Sequence, residues 1–370
     1  MIDDLIDIIA EVVWDIAVVG ARKGAKSVRN ASKNKTIKKA ADIIQEGGLV
    51  AFPTETVYGL GADAFNSAAV ERIYAAKGRP GDNPLILHVA KLEQFLQLAD
   101  SLPQYALDLA NAYWPGPLTL IIKKKYHLPG WLGGHPQNST TTIGVRIPNH
   151  PTALALLQAA NCPVAAPSAN KSGSPSPTSV QHILDDFSKE DGIGLILDSG
   201  GVLDVGLEST VVDTIGELPV ILRPGAITQE MIFKTTGLMP TGAEYNEKPR
   251  SPGMKYRHYA PKAPMVILKG TAANIATHIL NICEAKPDKK IGAFVSDATW
   301  KLLRYKTQNI CYIPLSNDHK TVAQNLFTNL RQFDKNNVSF IFAEAVDNSD
   351  LGTAIMDRML KAAEGNVLDV

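Results

Sequence analysis

Cysteine is scarce. The chain of 370 residues has three, Cys162, Cys283 and Cys311, an odd number set far apart. They offer neither a disulfide framework nor the paired spacing of a zinc site, and they fit a reducing, cytoplasmic compartment. Net charge is also missing: 37 Lys and Arg balance 37 Asp and Glu. Without a global basic field, any nucleic-acid or nucleotide site must be a local patch. Aromatics make up only 6%, which counts against a stacking platform for single strands. No apolar run reaches the ~18 residues of a membrane span. Met1 to Val19 is rich in Ile and Val, but Asp3, Asp4, Asp7, Glu11 and Asp15 interrupt it. A signal peptide needs a basic leader and an uncharged core, so this stretch does not read as one.

Several catalytic motifs are missing as well. There is no phosphate-binding Gly-x-x-x-x-Gly-Lys-Ser/Thr loop, and Gly59-x-Gly61 lacks the third glycine of a dinucleotide fingerprint. The eight histidines show no metal-ligand spacing, and no nucleophile elbow surrounds a serine. A zinc enzyme and a serine hydrolase are therefore poor expectations.

What is present is 45% apolar residues, enough for two cores at ~100–200 residues per domain. Residues 1–35 read as an extension. Its acidic apolar start gives way, from Arg22 to Lys39, to eight Lys or Arg and no acid. It either packs on the body or a partner through a solvated linker, or touches RNA or a membrane surface.

The body, 36–236, mixes both element types. A helical stripe over 36–44 ends at Gly47-Gly48, and Ser67 is the expected N-cap of a helix over 67–77. Further helices are expected over 91–99, 103–112, 151–160 and 178–187. Strands are expected at 49–52, 85–89, 118–122, 143–147, 195–197 and 209–213. Residues 237–264 carry five prolines without periodicity and read as a linker. From 265 to 370, strands at 265–268, 291–295, 310–313 and 338–342 alternate with helices near 271–284, 298–305, 320–335 and 352–363. Such a βαβα pattern builds a parallel sheet.

The polar residues collect at strand ends. Pro53-Thr-Glu-Thr-Val-Tyr-Gly-Leu60 puts two hydroxyls and a carboxylate in a turn, which either holds a polar ligand or caps its own amides. Lys77-Gly-Arg-Pro80 with Asn83 either binds phosphates or complements a helix C-terminus. His88 lies within a strand, where a lone histidine is usually a core residue. Arg146 lies within another, after Thr140, Thr141 and Thr142. A buried strand arginine needs an anion, either a structural Asp or Glu or a ligand carboxylate. Small residues over Ala165–Thr178 admit close ligand approach or form a surface linker. Ser251-Pro-Gly-Met-Lys-Tyr-Arg-His-Tyr-Ala-Pro261 is too rich in Tyr, Arg and His for a passive tether.

Together the motifs are more specific than any one of them. The Pro53–Leu60 segment, Lys77-Gly-Arg-Pro-x-x-Asn-Pro-Leu85, Pro167-Ser-Ala-Asn170, Ser209-Thr-Val-Val-Asp213 and Arg223-Pro-Gly225 occur in one order that resembles the YrdC family. The Ser251–Pro261 linker and the ending Leu351-Gly-Thr-Ala-Ile-Met-Asp-Arg358 resemble its long, two-domain form. The resemblance implies an α/β fold: a twisted mixed sheet around a large basic cavity, joined to a smaller Rossmann-like parallel-sheet domain. It implies that L-threonine, bicarbonate and ATP, with Mg²⁺, give L-threonylcarbamoyladenylate and pyrophosphate. The product would pass to a transferase complex that modifies tRNA.

Residue by residue, the resemblance places Thr56, His88, Arg146, Ser209 and a backbone contact at Ala166 around threonine. It places Lys77, Arg79, Asn83, Thr142, Ser168, Asn170, Ser176, Arg223 and Tyr259 around ATP, with Lys77 and Arg79 as the catalytic cations. Thr141 is the rival register for Thr142, and Tyr256 the rival for Tyr259. A different class of function, an RNA-binding module with weak tRNA or rRNA contact, would use the same basic cavity and show steep salt dependence. A maturase related to hydrogenase assembly factors would need zinc-finger cysteines that are missing.

Overall fold

In the computed structural model, residues 26–242, 258–306 and 309–370 are described, with side chains from residue 34 onward. The acidic start of the extension, Tyr256 and most of Ser251–Pro261 lie outside the described residues. Among the described residues no helix is long and apolar enough to cross a membrane.

The first domain is built on strands β1 (Leu49–Phe52), β2 (Gly59–Asp63), β3 (Ile86–His88), β4 (Leu118–Lys123), β5 (Thr142–Arg146), β6 (Val164–Ala165), β7 (Ile193–Ile196), β8 (Thr210–Asp213), β9 (Val220–Arg223) and β10 (Thr241–Gly242). They form one mixed sheet in the order β10-β9-β8-β4-β5-β3-β6-β2-β1-β7. The period-2 alternation of strand side chains divides its two faces. Leu87, Leu120, Ile143, Val145 and Val212 enter the main core. Helices Ser67–Lys77, Leu92–Leu98, Gln104–Tyr113, Val180–Asp186 and Gln229–Thr236 cover that face.

The opposite face is covered only in part. Helices Lys26–Gln45 and Pro151–Ala160 pack on Val50, Phe52, Val164 and Leu195. In β3 and β5, His88 pairs with Arg146 and Ile86 with Gly144, and His88 also lies across from Val164 in β6. His88 and Arg146 therefore share the half-covered face, and His88 meets the Phe52 ring edge-on at 5.9 Å. That uncovered part is the floor of the cavity described below.

The second domain has strands β11 (Met265–Lys269), β12 (Ile291–Val295), β13 (Ile310–Pro314), β14 (Phe340–Glu344) and β15 (Val367–Asp369). All pairs are parallel, in the order β13-β12-β14-β11-β15. Helices Ala272–Ala285 and Asp297–Leu303 cover one face, and His319–Lys335 and Gly352–Ala362 cover the other. The latter core also takes in Val57 and Leu207 of the first domain, so the two domains share apolar packing. Gly206 shows how close they come: at φ +77°, a Cβ there would lie 2.4 Å from Gln324 Cα. Arg331 reinforces the contact with a two-pronged bond to Asp186, 2.8 and 2.7 Å.

Three local expectations are corrected. The helix closing at Gln45 begins at Lys26, so the boundary drawn at residue 36 falls inside a continuous helix. The N-cap of the 67–77 helix is Asn66, whose side chain accepts from the Ala69 amide; Ser67 is its first helical residue. Residues 237–264 are not all extended linker: Thr241–Gly242 pairs with β9, and Tyr259, Ala260 and Ala263 are buried.

Candidate active site

A cavity opens on the uncovered sheet face, walled by the Thr54–Gly59 turn, the 166–174 segment, Ser209, Arg223 and His258–Tyr259. Thr54 organises the turn. Its hydroxyl accepts from the Thr56 and Val57 amides, both at 3.2 Å, and donates to the Val57 carbonyl at 2.7 Å. Thr54 thus caps amides of its own turn, and Thr56 lines the cavity.

At one end stands Arg146. Its Nε donates to the Gly116 carbonyl (3.1 Å) and its Nη1 to the Thr56 hydroxyl (2.9 Å). Its Nη2 lies 2.6 Å from Glu55 Oε1, with both side chains buried. So the arginine has a structural carboxylate partner and lines a cavity as well. The geometry of that ion pair is not a hydrogen bond: Nη2 and both Glu55 oxygens are buried without hydrogen-bond partners. His88 Nδ1 is likewise unpartnered. Burial, then the Arg146 charge, pushes the His88 pKa down to about 3, so the ring is neutral at physiological pH. Unpaired buried polar atoms cost free energy unless a ligand satisfies them. Ser209 Oγ completes this end, 2.8 Å from Thr119 Oγ1, and Ala166 lies in the wall.

The other end is cationic. Lys77 ends the 67–77 helix at the left-handed Gly78, φ +58°. Its Nζ donates to the Ser168 and Asn170 carbonyls at 2.6 and 2.5 Å. Burial, then the Arg79 charge, lowers its pKa well below that of an ordinary lysine. Arg79 donates to Asn83 O (3.0 Å), Asn83 Oδ1 (2.7 Å) and Pro84 O (2.7 Å), and burial pushes it down to about 10, still charged at neutral pH. Arg223 donates from Nε to Ser209 O at 3.0 Å and from Nη2 to Ser209 Oγ at 3.1 Å. Asn170 and Ser168 line this end, and Asn170 Oδ1 has no partner. Tyr259 closes it at φ +61°, a left-handed conformation costly for a tyrosine. Its ring packs 5.3 Å from Phe327 of the second domain.

Three of the nucleotide residues expected from sequence lie elsewhere. Asn83 is buried behind Arg79 and is absent from the wall. Ser176 is fully buried and donates to Glu208 Oε1 at 2.5 Å. Thr142 lies on the same sheet face as Gly144 and Arg146 but lines a separate groove with Lys123 and Asn138. Glu55, Glu208 and Arg358 fall within sequence motifs, but the sequence reading gives none of them a role. A strand arginine calls for a carboxylate, but no short-range signal names which one.

Comparison with known proteins follows the same two-part division. Residues 42–225 match the Sua5/YciO/YrdC family model, described as telomere recombination. Residues 227–364 match a model described as the C-terminal domain of threonylcarbamoyl-AMP synthase. The threonylcarbamoyl-AMP synthase of Bacillus subtilis is 42% identical over 91% of this chain and 96% of its own length. That of Pyrococcus abyssi is 42% identical over 93% and 98%. A crystal structure of P. abyssi Sua5 complexed with L-threonine superposes with a TM-score of 0.83 at 40% identity, covering 95% of this chain and 99% of that one. With both domains and nearly the whole length of these relatives matched, the chain belongs to the threonylcarbamoyl-AMP synthase family.

Proposed function

We propose that this protein joins L-threonine, bicarbonate and ATP into L-threonylcarbamoyladenylate, releasing pyrophosphate, and that a separate transferase uses the product to modify tRNA. The observation that supports it most is one cavity with two unlike ends: Arg146 with the unpartnered His88 Nδ1 and the Thr56 and Ser209 hydroxyls, and a cluster of Lys77, Arg79 and Arg223. The threonine complex of a relative similar along its whole length supports the amino-acid assignment.

The threonine amine condenses with bicarbonate to a carbamate and water. A carbamate oxygen then attacks the α-phosphorus, and the bond to pyrophosphate breaks. No protein nucleophile is needed. Orientation of two anions and neutralisation of phosphate charge supply the catalysis. Arg146 and Thr56 would hold the threonine carboxylate, while neutral His88 and Ser209 would read its other polar groups. Lys77, Arg79 and Arg223 would take the phosphates, and Tyr259 would shield the labile mixed anhydride from water. Among the described residues no group of three His, Cys, Asp or Glu stands ready for a metal. Mg²⁺ would therefore arrive on the ATP phosphates, where it offsets their charge, and no protein ligand is assigned to it.

The test is pyrophosphate release with detection of the adenylate. Turnover should require both threonine and bicarbonate. Serine, which loses only a methyl group worth ~1–3 kcal/mol, should be a weak substrate. Equal turnover with valine, or without an amino acid, would overturn the proposal.

A further inference from the structure

The Leu351–Arg358 segment of the second domain ends in a side chain that is 0% exposed, Arg358. Arg358 Nε donates to Glu208 Oε2 at 3.0 Å and Nη2 to Glu208 O at 3.1 Å. Its Nη1 donates to Pro224 O at 2.5 Å and to Asp357 Oδ2 at 2.9 Å. The residues it grips, Glu208 and Pro224, are the immediate neighbours of Ser209 and Arg223 in the cavity wall. Glu208 itself lines the cavity. Burial opposes its ionisation, but Arg358, Arg223 and the Ser176 hydroxyl outweigh burial and hold its carboxyl below the usual range. A carboxylate thus faces a space suited to triphosphate, where a bare negative charge would repel the ligand.

We propose that Arg358 is a positioning residue for the nucleotide, contributed by the second domain: it neutralises Glu208, so that the Arg223 guanidinium remains turned to the cavity and available to phosphate. This rests on the ATP-dependent reading above. Without Arg358, the buried Glu208 would be left with Arg223 as its nearest compensating cation, and ATP would compete with a protein carboxylate for the same guanidinium. The second domain would then act on chemistry through charge as well as by packing.

The experiment measures pyrophosphate release and both KM values in the full-length protein. Arg358→Gln should raise the ATP KM about tenfold or more, the scale of a buried charge losing its partner, with a smaller change for threonine. The Glu208→Gln/Arg358→Gln double variant removes both charges and should return the ATP KM to within about threefold of wild type. Arg331→Gln cuts a different interdomain ion pair, the one to Asp186, and should lower the melting temperature while leaving the ATP KM unchanged. An unaltered ATP KM in Arg358→Gln, or a double variant as impaired as the single, overturns the proposal, because a purely mechanical strut is not rescued by removing Glu208's charge. If Arg358→Gln does not fold, a double variant that also does not fold overturns it in the same way. A wild-type protein that forms no adenylate would instead defeat the functional reading itself.

Discussion

The two ends of the cavity are built on opposite plans. At the threonine end, Arg146 and His88 stand on neighbouring strands of one sheet, with Arg146 held by Gly116, Thr56 and Glu55 and His88 Nδ1 without a hydrogen-bond partner. At the nucleotide end, Lys77, Arg79 and Arg223 lie in a helix end, a turn and a strand end, and each already donates to backbone carbonyls. The first is a socket fixed by two paired strands of the sheet. The second is a set of loops pinned by the cations that a ligand would engage. Substitutions at the first end should read out in substrate binding, and those at the second should also loosen the wall.

The sharpest break of that contrast is at Arg146. Arg146→Ala should raise the threonine KM by an amount equivalent to ~2–5 kcal/mol, far more than it changes the ATP KM. It also strands Glu55, so the melting temperature should fall. Kinetics and melts on Glu55→Gln/Arg146→Ala separate the effects: stability should recover and threonine binding should not. Recovery of both would mean that Arg146 serves the ion pair alone. Next in size is Lys77→Met. Orphaning the Ser168 and Asn170 carbonyls should cost ~1–3 kcal/mol. Because those carbonyls belong to the wall, ATP KM and stability should move together, measured by initial rates and thermal melts. An isolated kinetic effect would make Lys77 a pure phosphate ligand and blur the contrast.

A third prediction concerns pH. Burial first, then Arg146, pushes His88 down to about 3; burial first, then Arg331 for His182 and Arg79 for His258, pushes those two to about 4. Unfolded histidine takes its proton near pH ~6.5. Below that point the unfolded chain binds protons that the folded chain refuses, so stability falls as pH falls, by up to ~1.4 kcal/mol per pH unit for each ring. Above it all three are neutral in both states and contribute no slope. Urea midpoints between about pH 4.5 and 6.5 should show this, and His88→Asn should reduce the slope by about one proton. An unchanged slope would mean His88 is charged in the fold.

Much of the architecture was legible because alternation and capping are local. The βαβα pattern of 265–370 is borne out as an all-parallel sheet. Several missed elements were short or glycine-rich, although β9 (Val-Ile-Leu-Arg) and the helix Gln229–Thr236 were missed without being either. β2 reads Gly-Leu-Gly-Ala-Asp, β6 has two residues, and β15 lies at the sheet edge. They are strands because neighbours supply their hydrogen bonds, which no local pattern encodes. Motif order brought most of the cavity residues forward. It could not indicate that Arg146 already has Glu55, or that Glu208 meets Arg358 across 150 residues. The first pairing joins two distant segments of one domain and the second depends on how the two domains close, and neither distance is written in any local pattern.

The smallest expected effect is at Thr142. It sits on the cavity-facing side of β5, two positions from Gly144 and four from Arg146, and is only partly buried. The groove that it lines, with Gly81, Pro84 and Gly144, continues the same sheet face away from the cations. An ATP molecule whose phosphates sit by Arg79 would need to extend past Ile86 to reach it. Any contact there is a neutral hydrogen bond at a half-exposed site, worth ~1 kcal/mol or less. Valine suits a strand position and removes only the hydroxyl donor and acceptor. Thr142→Val should therefore raise the ATP KM by about fivefold at most and leave the threonine KM and the melting temperature unchanged. A larger rise confined to ATP would show that the nucleotide end reaches well beyond the enclosed cavity, with an open sheet surface as part of its recognition. A rise in the threonine KM would show that the two ends are not separate, because a change in the open groove would then be felt at Arg146.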